Sequence, residues 1–301
     1  MRVLFMGTPD FAVASLEAIH EAGHDVCGVF TQPDKKQNRG QKISAPAVKE
    51  CATNLGLPVF QPETLKDGTA FSKIKALNPD IIIVVAYGKL LPQEILDFPE
   101  YGCINVHASL LPKYRGAAPI QWAILKGESH TGVTIMQMDI GLDTGDMLTK
   151  KETEILPEDT AKSLFLRLQT LGAELLVETL PKIERGEIVA EPQNHEEATL
   201  APPLSRDLSE VNWEKPAAEI INQIRGLNPW PMATTEIAGR KLKLHHAIIG
   251  TGTGNPGEIL NAGKDGLEIA CGIGSIIILH LQAEGKKAMP VGDYLRGNPI
   301  E

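Results

Sequence analysis

The stretch Asp80-Ile-Ile-Ile-Val-Val-Ala86 decides how the first half of the chain folds. Its five central residues are all apolar and β-branched, so a strand built from them is buried on both faces. Such a strand is typical of a parallel sheet that helices cover on each side. Other short apolar runs lie at Val3–Met6, Val26–Phe30, Ile104–Val106 and Val133–Met136. The sequence therefore predicts an α/β domain with a doubly wound parallel sheet.

A long helix is predicted towards the end of this first part. Leu164, Leu168, Leu171 and Leu175 recur at the spacing of one helix face. We expect this helix to end before Pro181, because proline lacks the N–H that a helix interior requires.

The remainder of the chain differs from the first part in composition and in the pattern of its apolar residues. We expect residues 1–187 to form the first domain and residues 188–212, which are rich in Pro, Glu and Ala, to form a linker. Residues 213–301 then hold a short helix around Ile220–Ile224, followed by short strands separated by glycines. The predicted strands are Leu242–Leu244, Ile248–Gly250, Glu258–Leu260, Leu267–Ala270 and Ile276–Leu281. Such a series in under a hundred residues predicts a small closed β-barrel.

Composition limits the class of protein. With 43% apolar and 22% charged residues, the 301-residue chain is neither disordered nor fibrous. The net charge of −9 argues against a general nucleic-acid coat, whose surface is basic. The four cysteines form no CxxC pair, which indicates free thiols in a reducing compartment. The longest apolar run, Ile81–Tyr87, has seven residues, whereas a membrane span needs about 20. We therefore expect a soluble cytoplasmic protein with no membrane partner.

The strongest candidate for chemistry is the pair Asn105 and His107. They lie two residues apart at the end of a predicted strand, so both side chains leave on one face. An amide donor and an imidazole at the end of such a strand could polarise a carbonyl and stabilise the oxyanion formed on attack. The alternative is that both side chains only satisfy backbone groups where the strand ends.

A second candidate is Asp143, in the glycine-rich segment 138–147. A carboxylate there could orient an imidazole or move a proton. The alternative is an ordinary turn, for which Asp and Gly are the usual residues. A calcium loop is excluded, because the required acidic spacing and closing Glu are absent. We expect the candidate site to require no metal.

A third candidate is the basic segment, residues 33–42, which reads Pro-Asp-Lys-Lys-Gln-Asn-Arg-Gly-Gln-Lys. It carries Lys35, Lys36, Arg39 and Lys42 against the single acidic residue Asp34. It is either a solvated surface loop or a basic finger that binds a phosphate backbone. Glycine patterns for dinucleotides or nucleoside triphosphates do not occur in the sequence.

Several of these segments resemble the folate-dependent formyltransferases. The run I-N-V-H-A-S-L-L-P-K-Y-R-G-A-A-P over residues 104–119, with G-L-D-T-G-D over residues 141–146, carries the resemblance. Met6-Gly-Thr-Pro-Asp-Phe-Ala12 is similar to the opening strand and turn of that family. Arg39-Gly-Gln-Lys42 is similar to its basic loop, and Asn228-Pro-Trp-Pro231 to a signature of its C-terminal domain.

The resemblance implies a Rossmann-like catalytic domain followed by an OB-like β-barrel that binds tRNA. It implies 10-formyltetrahydrofolate as the formyl donor and the methionine amino group of initiator methionyl-tRNA as the acceptor. The family's catalytic residues fall on Asn105, His107 and Asp143, and its folate-contacting turn falls on Ser109, Leu110, Leu111 and Pro112. Contacts with tRNA are expected from Arg39, Lys42, Lys35 and Lys36. We expect the chain to act as a monomer.

Two alternatives to this function stay open. The first is a related formyltransferase that acts on an amino-sugar nucleotide or another small amine. The second is a non-catalytic folate-binding or RNA-binding module on the same fold. Intact Asn105, His107 and Asp143 weigh against the second alternative, since a binding module does not require them.

Overall fold

The computed structural model describes residues 1–37 and 42–300, and gives only the backbone of Lys36, Gln37, Lys42 and Ile43. The chain divides into two compact units. The first contains residues 1–116, 131–153 and 165–200, and the second contains residues 117–130, 154–164 and 201–301. The proposed functional residues Asn105, His107 and Asp143 all lie in the first unit.

The first unit is built on a seven-stranded sheet. Its strands are β1 (Arg2–Gly7), β2 (Asp25–Phe30), β5 (Val59–Phe60), β6 (Ile81–Val85), β7 (Cys103–His107), β8 (His130–Gln137) and β9 (Met147–Glu154). Its order is β5-β2-β1-β6-β7-β8-β9, and β5, β2, β1, β6 and β7 are parallel. The helices of this part are α1 (Val13–Glu21), α2 (Ala47–Asn54), α3 (Thr69–Leu77), α4 (Gln93–Leu96) and α6 (Ala161–Glu184).

The central strands are buried on both faces, as the sequence predicted. Every residue of β6 is at most 5% exposed, and Val3 and Leu4 of β1, which point to opposite faces, are both fully buried. Leu4 and Ile82 pack in one core cluster with Ile74 of α3. The chain builds outward from β1 to β5 and then returns to β6, so the reversal of strand order lies between β1 and β6. The predicted α/β class is confirmed.

The prediction of an all-parallel sheet is wrong at one edge. Strand β8 pairs antiparallel with β7, with His107 opposite Thr134. Parallel pairing would need a crossover connection that packs on the sheet. The single helix between β7 and β8, α5 (Pro119–Leu125), belongs to the second unit instead. The sheet is therefore mixed.

The prediction that the long helix ends before Pro181 is also wrong, because α6 continues to Glu184 with Pro181 inside it. The proline removes one hydrogen bond, to the carbonyl of Val177, close to the end of the helix. Burial of Leu176 and Leu180, both fully inaccessible, stabilises the helical turns that lead into Pro181. The backbone amide of Arg185 still donates to the Pro181 carbonyl at 3.1 Å.

The second unit is an antiparallel sheet with three helices. The sheet order is β10-β11-β14-β13-β12, and β15 pairs with β14. The elements are α5, α7 (Ala217–Gly226), β10 (Ala233–Ile237), β11 (Arg240–Gly250), β12 (Ile259–Gly263), β13 (Gly266–Ala270), β14 (Ser275–Ala283), β15 (Met289–Pro290) and α8 (Val291–Gly297). The predicted helix around Ile220–Ile224 is present as α7, and both of these residues are buried in the core of this unit.

One pair of predicted strands is a single strand in the structure. Leu242–Leu244 and Ile248–Gly250 both belong to β11, which continues through His245 and His246. The pairing of β11 with β14 shifts register on both sides of His246. A bulge at this point allows His245 and His246 to interrupt the alternation of apolar residues without ending the strand.

Two short strands lie outside the main sheets. Strands β3 (Lys35–Gln37) and β4 (Lys42–Ser44) pair antiparallel as a two-stranded ribbon.

Across the part of the chain that the structure describes, no helix is both long and apolar enough to cross a membrane.

Candidate active site

Strand β7 presents Asn105 and His107 on the same face of the sheet. Val106, between them, points to the opposite face and is 3% exposed. Gly172 of α6 approaches Val106 so closely that a Cβ atom on the glycine would lie 2.9 Å from Val106 Cγ1. The helix therefore fixes the buried face of β7, and Asn105 and His107 face away from it.

His107 is held by a backbone carbonyl. Its side chain is 6% exposed, and its Nε2 lies 3.0 Å from the Tyr114 carbonyl oxygen. A carbonyl oxygen can only accept, so Nε2 must carry the proton of this hydrogen bond. In the neutral imidazole, Nδ1 is then the nitrogen with the lone pair. It lies 3.7 Å from Asp143 Oδ2.

The loop between β8 and β9 carries Asp143. The loop is closed at its base by the Gln137 amide, which donates to the Asp146 carbonyl at 2.8 Å. Asp139 holds the loop by accepting from the Gly141 amide and the Thr144 hydroxyl. Asp143 has a left-handed φ of +52°, a conformation that Asp tolerates better than most residues.

The loop also needs a residue without a side chain beside Asp143. A Cβ atom on Gly145 would collide with the carbonyl oxygen of Gln137. This collision is with backbone and cannot be relieved by moving a side chain. The glycine therefore permits the tight return of the loop towards β9.

The Asp143 carboxylate is the point where the predicted residues meet. Oδ2 accepts from the Gly116 amide at 2.8 Å, and Oδ1 accepts from Asn105 Nδ2 at 3.4 Å. The side chain is 15% exposed, so the group is partly shielded but accessible. An amide donor, an imidazole and a carboxylate thus lie together on one face of the sheet. This arrangement can stabilise negative charge on an oxygen and accept a proton from a nucleophile.

The predicted folate turn follows β7. Ser109 is fully buried; its hydroxyl donates to the Lys113 carbonyl at 2.7 Å, and its carbonyl accepts from Thr134 Oγ1 at 2.7 Å. Leu111 is 3% exposed and packs with Met136 and Met147. Leu110 and Pro112 are only partly buried. The turn is therefore anchored by Ser109 and Leu111 and offers Leu110 and Pro112 to solvent.

The basic segment is described only at its two ends. Lys35 is exposed, whereas Arg39 lies outside the described residues, and the structure gives only the backbone of Lys36 and Lys42. The carboxylate of Asp34 accepts from Lys49 Nζ at 2.7 and 2.9 Å, which holds the pKa of Asp34 below its usual value. The single acidic residue of the segment is thus paired with a lysine outside it.

A further lysine, which the sequence analysis missed, lies near this segment. Lys89 Nζ donates to the carbonyls of Pro62 and Glu63, both at 2.6 Å. Partial burial lowers the pKa of Lys89, and the positive charge of Lys35 lowers it further. Lys35 and Lys89 are therefore neighbouring cations.

The sequence analysis also missed Arg115 and Gln193. Both residues are at least 93% buried and are hydrogen-bonded to each other, and Gln193 also donates to two carbonyls of the Asp143 loop. Arg115 lies within the motif that carries the family resemblance, but Gln193 lies in the segment interpreted as a linker. Within the described residues, no group of three or more His, Cys, Asp or Glu side chains is placed to hold a metal ion.

Comparison with known proteins places the chain in a family. Residues 1–180 match the formyl transferase family, and residues 203–299 match the formyl transferase C-terminal domain. A methionyl-tRNA formyltransferase of Trichlorobacter lovleyi is 50% identical over 99% of this chain and 95% of its own length. That of Caldanaerobacter subterraneus subsp. tengcongensis is 51% identical over 100% of this chain and 98% of its own length.

A solved structure shares the fold. The N-formyltransferase from Helicobacter canadensis, in complex with folinic acid and dTDP-3-aminofucose, has a TM-score of 0.69 and 21% identity to this chain. The similarity covers 94% of this chain and 99% of that one. On the matches over both of its parts, the chain belongs to the formyl transferase family.

Proposed function

We propose that this protein transfers the formyl group of 10-formyltetrahydrofolate to the free amino group of methionyl initiator tRNA, which yields N-formylmethionyl-tRNA for translation initiation. The observation that carries the proposal is the meeting of Asn105 and His107 with the Asp143 carboxylate in a chain of this family. Full-length relatives that are 46–51% identical are methionyl-tRNA formyltransferases, which supports the choice of acceptor.

Proton transfer in this mechanism belongs to His107 and Asp143. The attacking amine must lose a proton as it bonds to the formyl carbon. The bond between that carbon and N10 of the folate then breaks, and N10 takes up a proton so that tetrahydrofolate leaves. Nδ1 of neutral His107 and Oδ2 of Asp143 are both acceptors, 3.7 Å apart, so one proton can be held between them. Because Nε2 is committed to the Tyr114 carbonyl, the proton enters at the side of Nδ1 and Asp143.

Stabilisation of the developing negative charge belongs to Asn105. Its Nδ2 carries two N–H groups, and one of them points to Asp143 Oδ1 at 3.4 Å. The second N–H can donate to the formyl oxygen as negative charge grows there. Loss of one such donor costs about 10²–10³ in turnover in enzymes that rely on it. No covalent enzyme intermediate is needed.

The formyl donor fits the surface around these residues. Ile140 and Leu142 flank Asp143 in its loop and are 67% and 55% exposed. Large apolar side chains exposed beside a polar cluster are suited to a flat aromatic ring. We propose that Ser109, Leu110, Leu111 and Pro112 form the folate turn, in which Leu110 and Pro112 contact the donor and the other two hold the turn in shape.

Recognition of tRNA is assigned to the basic segment and the second unit. The basic segment follows β2, whose carboxyl end lies at the same sheet edge as that of β7, because the intervening strands are parallel. We assign phosphate contacts to Lys35, Lys36, Arg39 and Lys42. We assign the antiparallel sheet domain as an OB-like β-barrel. It adds contacts to tRNA through three exposed basic residues of β11, Arg240, Lys241 and Lys243.

The organisation that goes with this function has three parts. Residues 1–187 carry the chemistry, residues 188–212 connect, and residues 213–301 form the barrel. The protein acts as a monomer in the cytoplasm, where charged tRNA is available.

An amino-sugar nucleotide is the second candidate acceptor. The Helicobacter canadensis structure, whose fold is similar along nearly its whole length, holds dTDP-3-aminofucose. The basic segment favours tRNA over this smaller acceptor, because a nucleotide sugar offers two phosphates whereas tRNA offers a continuous phosphate backbone.

The test is transfer of labelled formyl from 10-formyltetrahydrofolate, with three acceptors tested separately. We expect transfer to methionyl initiator tRNA, and none to the same tRNA without methionine. Efficient transfer to a dTDP-amino sugar, with none to the charged tRNA, would support the second candidate instead.

A further inference from the structure

Residues 191–200, which we call the strap, cross the loops that carry the candidate catalytic residues. Glu191 exchanges backbone hydrogen bonds with Met147, both at 2.8 Å, at the end of the Asp143 loop. At the other end of the strap, Thr199 accepts from the amides of Tyr114 and Arg115, at its hydroxyl and its carbonyl respectively, each at 2.9 Å. The strap is therefore bonded both to the Asp143 loop and to the segment that holds His107.

Gln193 is the buried centre of the strap. Its side-chain Nε2 donates to the carbonyl of Asp143 at 2.9 Å and to the carbonyl of Gly145 at 2.6 Å. The residue is 5% exposed, so these hydrogen bonds are shielded from water. One side-chain amide thus holds the backbone on both sides of Thr144 and fixes the carbonyl of Asp143 itself.

Arg115 determines which way the Gln193 amide points. Its Nε and Nη2 donate to Gln193 Oε1 at 3.0 and 2.6 Å. A guanidinium has only donors, so it selects the oxygen of the amide and turns the nitrogen towards the two loop carbonyls. Arg115 is 7% exposed, and its Nη2 also lies 3.1 Å from Nδ1 of His195 in the strap.

Asp143 needs this support for a geometric reason. Its left-handed backbone is a conformation that a non-glycine residue leaves readily when nothing holds it. The Nδ1 to Oδ2 distance of 3.7 Å is already beyond an ordinary hydrogen bond. A further shift of the loop would separate the two groups between which the amine's proton is held.

We infer that Gln193 is a positioning residue for formyl transfer, whose amide locks the Asp143 backbone in the orientation that brings the carboxylate to Asn105 and His107. The inference rests on the proposed function. It assigns a role in the reaction to the segment between the two family domains, whose matches end at residue 180 and resume at residue 203.

Two substitutions of Gln193 separate its functions. Gln193→Glu keeps oxygens that can accept from Arg115 but has no N–H for the two loop carbonyls. Gln193→Met has a similar length and neither donor nor acceptor. We expect both variants to lower kcat by about 10²-fold, because a displacement of about 1 Å in a reacting group costs that much. KM for 10-formyltetrahydrofolate and for methionyl-tRNA should change by less than about threefold, because Gln193 is buried and its polar atoms are bonded to Arg115 and the loop carbonyls.

Gln223→Glu is the matched control. Gln223 Nε2 also bridges two backbone carbonyls, those of Leu208 and Glu210, at 2.8 and 3.0 Å, but in the second unit. We expect this variant to keep the kcat of the unaltered protein. An equal fall in kcat in Gln223→Glu and Gln193→Glu would overturn the inference, because the loss would then be general.

Active-site titration by folate binding corrects kcat for unfolded protein. A kcat per folate-binding site within about twofold of the unaltered protein, in both Gln193 variants, also overturns the inference. If neither Gln193 variant folds, Arg115→Lys provides the test, because lysine cannot make both hydrogen bonds to Oε1. That variant should then lose kcat by about tenfold without a change in folate KM, and an unchanged kcat would refute the inference.

Failure of the proposed function would look different. In that case the unaltered protein itself would transfer no formyl group to methionyl-tRNA. Failure of the inference alone leaves the unaltered protein fully active and the Gln193 variants equally so.

Discussion

Replacement of Asp143 by Asn isolates the role of its negative charge. In the unaltered protein, Asp143 Oδ2 accepts from the Gly116 amide at 2.8 Å. Asparagine keeps an oxygen that can accept this hydrogen bond, and it tolerates the left-handed backbone at this position. Oδ2 is also the oxygen that lies 3.7 Å from Nδ1 of His107, so the change leaves an oxygen there but removes its negative charge. Shape and backbone are conserved, so a fall in turnover reports on the charge.

The expected size of the effect follows from what the carboxylate contacts. Proton transfer by a positioned side chain contributes about 10²–10⁴ in rate, or about 3–5 kcal/mol in activation free energy. The hydrogen bond from Gly116 loses its charged acceptor, which costs about 1 kcal/mol of the free energy of unfolding. We therefore expect kcat to fall by about 10²–10⁴-fold, while Tm falls by only about 2–4 °C.

Single-turnover transfer of labelled formyl to methionyl initiator tRNA measures this rate, with thermal unfolding as the control. Folate affinity should stay close to that of the unaltered protein, because the interaction strengthens only in the transition state. If Asp143→Asn retained turnover within about fivefold, the carboxylate would have no part in the proton transfer.

The remaining predictions concern the donor site, the acceptor site and the core. Leu110→Asp should weaken binding of 10-formyltetrahydrofolate more than binding of tRNA, by equilibrium titration of each; equal losses would indicate damage to the fold. Arg39→Ala should lower transfer to tRNA and flatten its salt dependence, with folate affinity unchanged; a normal rate and salt slope would make the segment a solvated loop. Burial raises the pKa of the Cys103 thiol to about 12, well above the value of 9.0 for an accessible thiol. Its neutral form therefore stabilises the fold fully below pH 9, and this contribution is lost as the pH rises from 9 towards 12. Iodoacetamide at pH 8 should accordingly label Cys103 only in denaturant, and fast labelling of the native protein would contradict its burial.

Local pattern was enough to predict the central strands of the sheet in the first unit, but not its edge strands β5 and β9. The β-branched run at Ile81–Val85 could be buried only between two helical layers, and that is where it lies. The period of two along β7 likewise placed Asn105 and His107 on one face. Both predictions rest on interactions within a few residues, which a single sequence carries.

Pattern could not predict what depends on distant partners. Nothing local to Val133–Met136 distinguishes antiparallel from parallel pairing, which the path of residues 108–129 decides. The extension of α6 through Pro181 depends on burial of Leu180 against the rest of the core. Local propensity was overridden by tertiary packing in both cases.

The sequence likewise predicted only part of the candidate site. That Asp143 lies near His107 followed from the family resemblance, because the intervening residues 108–142 carry no distance information. Gln193 had no signal, since it stands in a segment without periodicity, and its function depends on hydrogen bonds to residues about 50 and 78 positions earlier. A polar residue in such a segment becomes a candidate only when its burial is known.

The central claim is that the amine of methionyl-tRNA is the acceptor of the formyl group. A competition experiment tests it most directly: limiting labelled 10-formyltetrahydrofolate is added to the protein with equal concentrations of methionyl initiator tRNA and a dTDP-3-amino sugar. We expect the label to appear in the tRNA and to be released as N-formylmethionine on deacylation. Label found in the sugar nucleotide, with none in the tRNA, would show that methionyl-tRNA is not the acceptor.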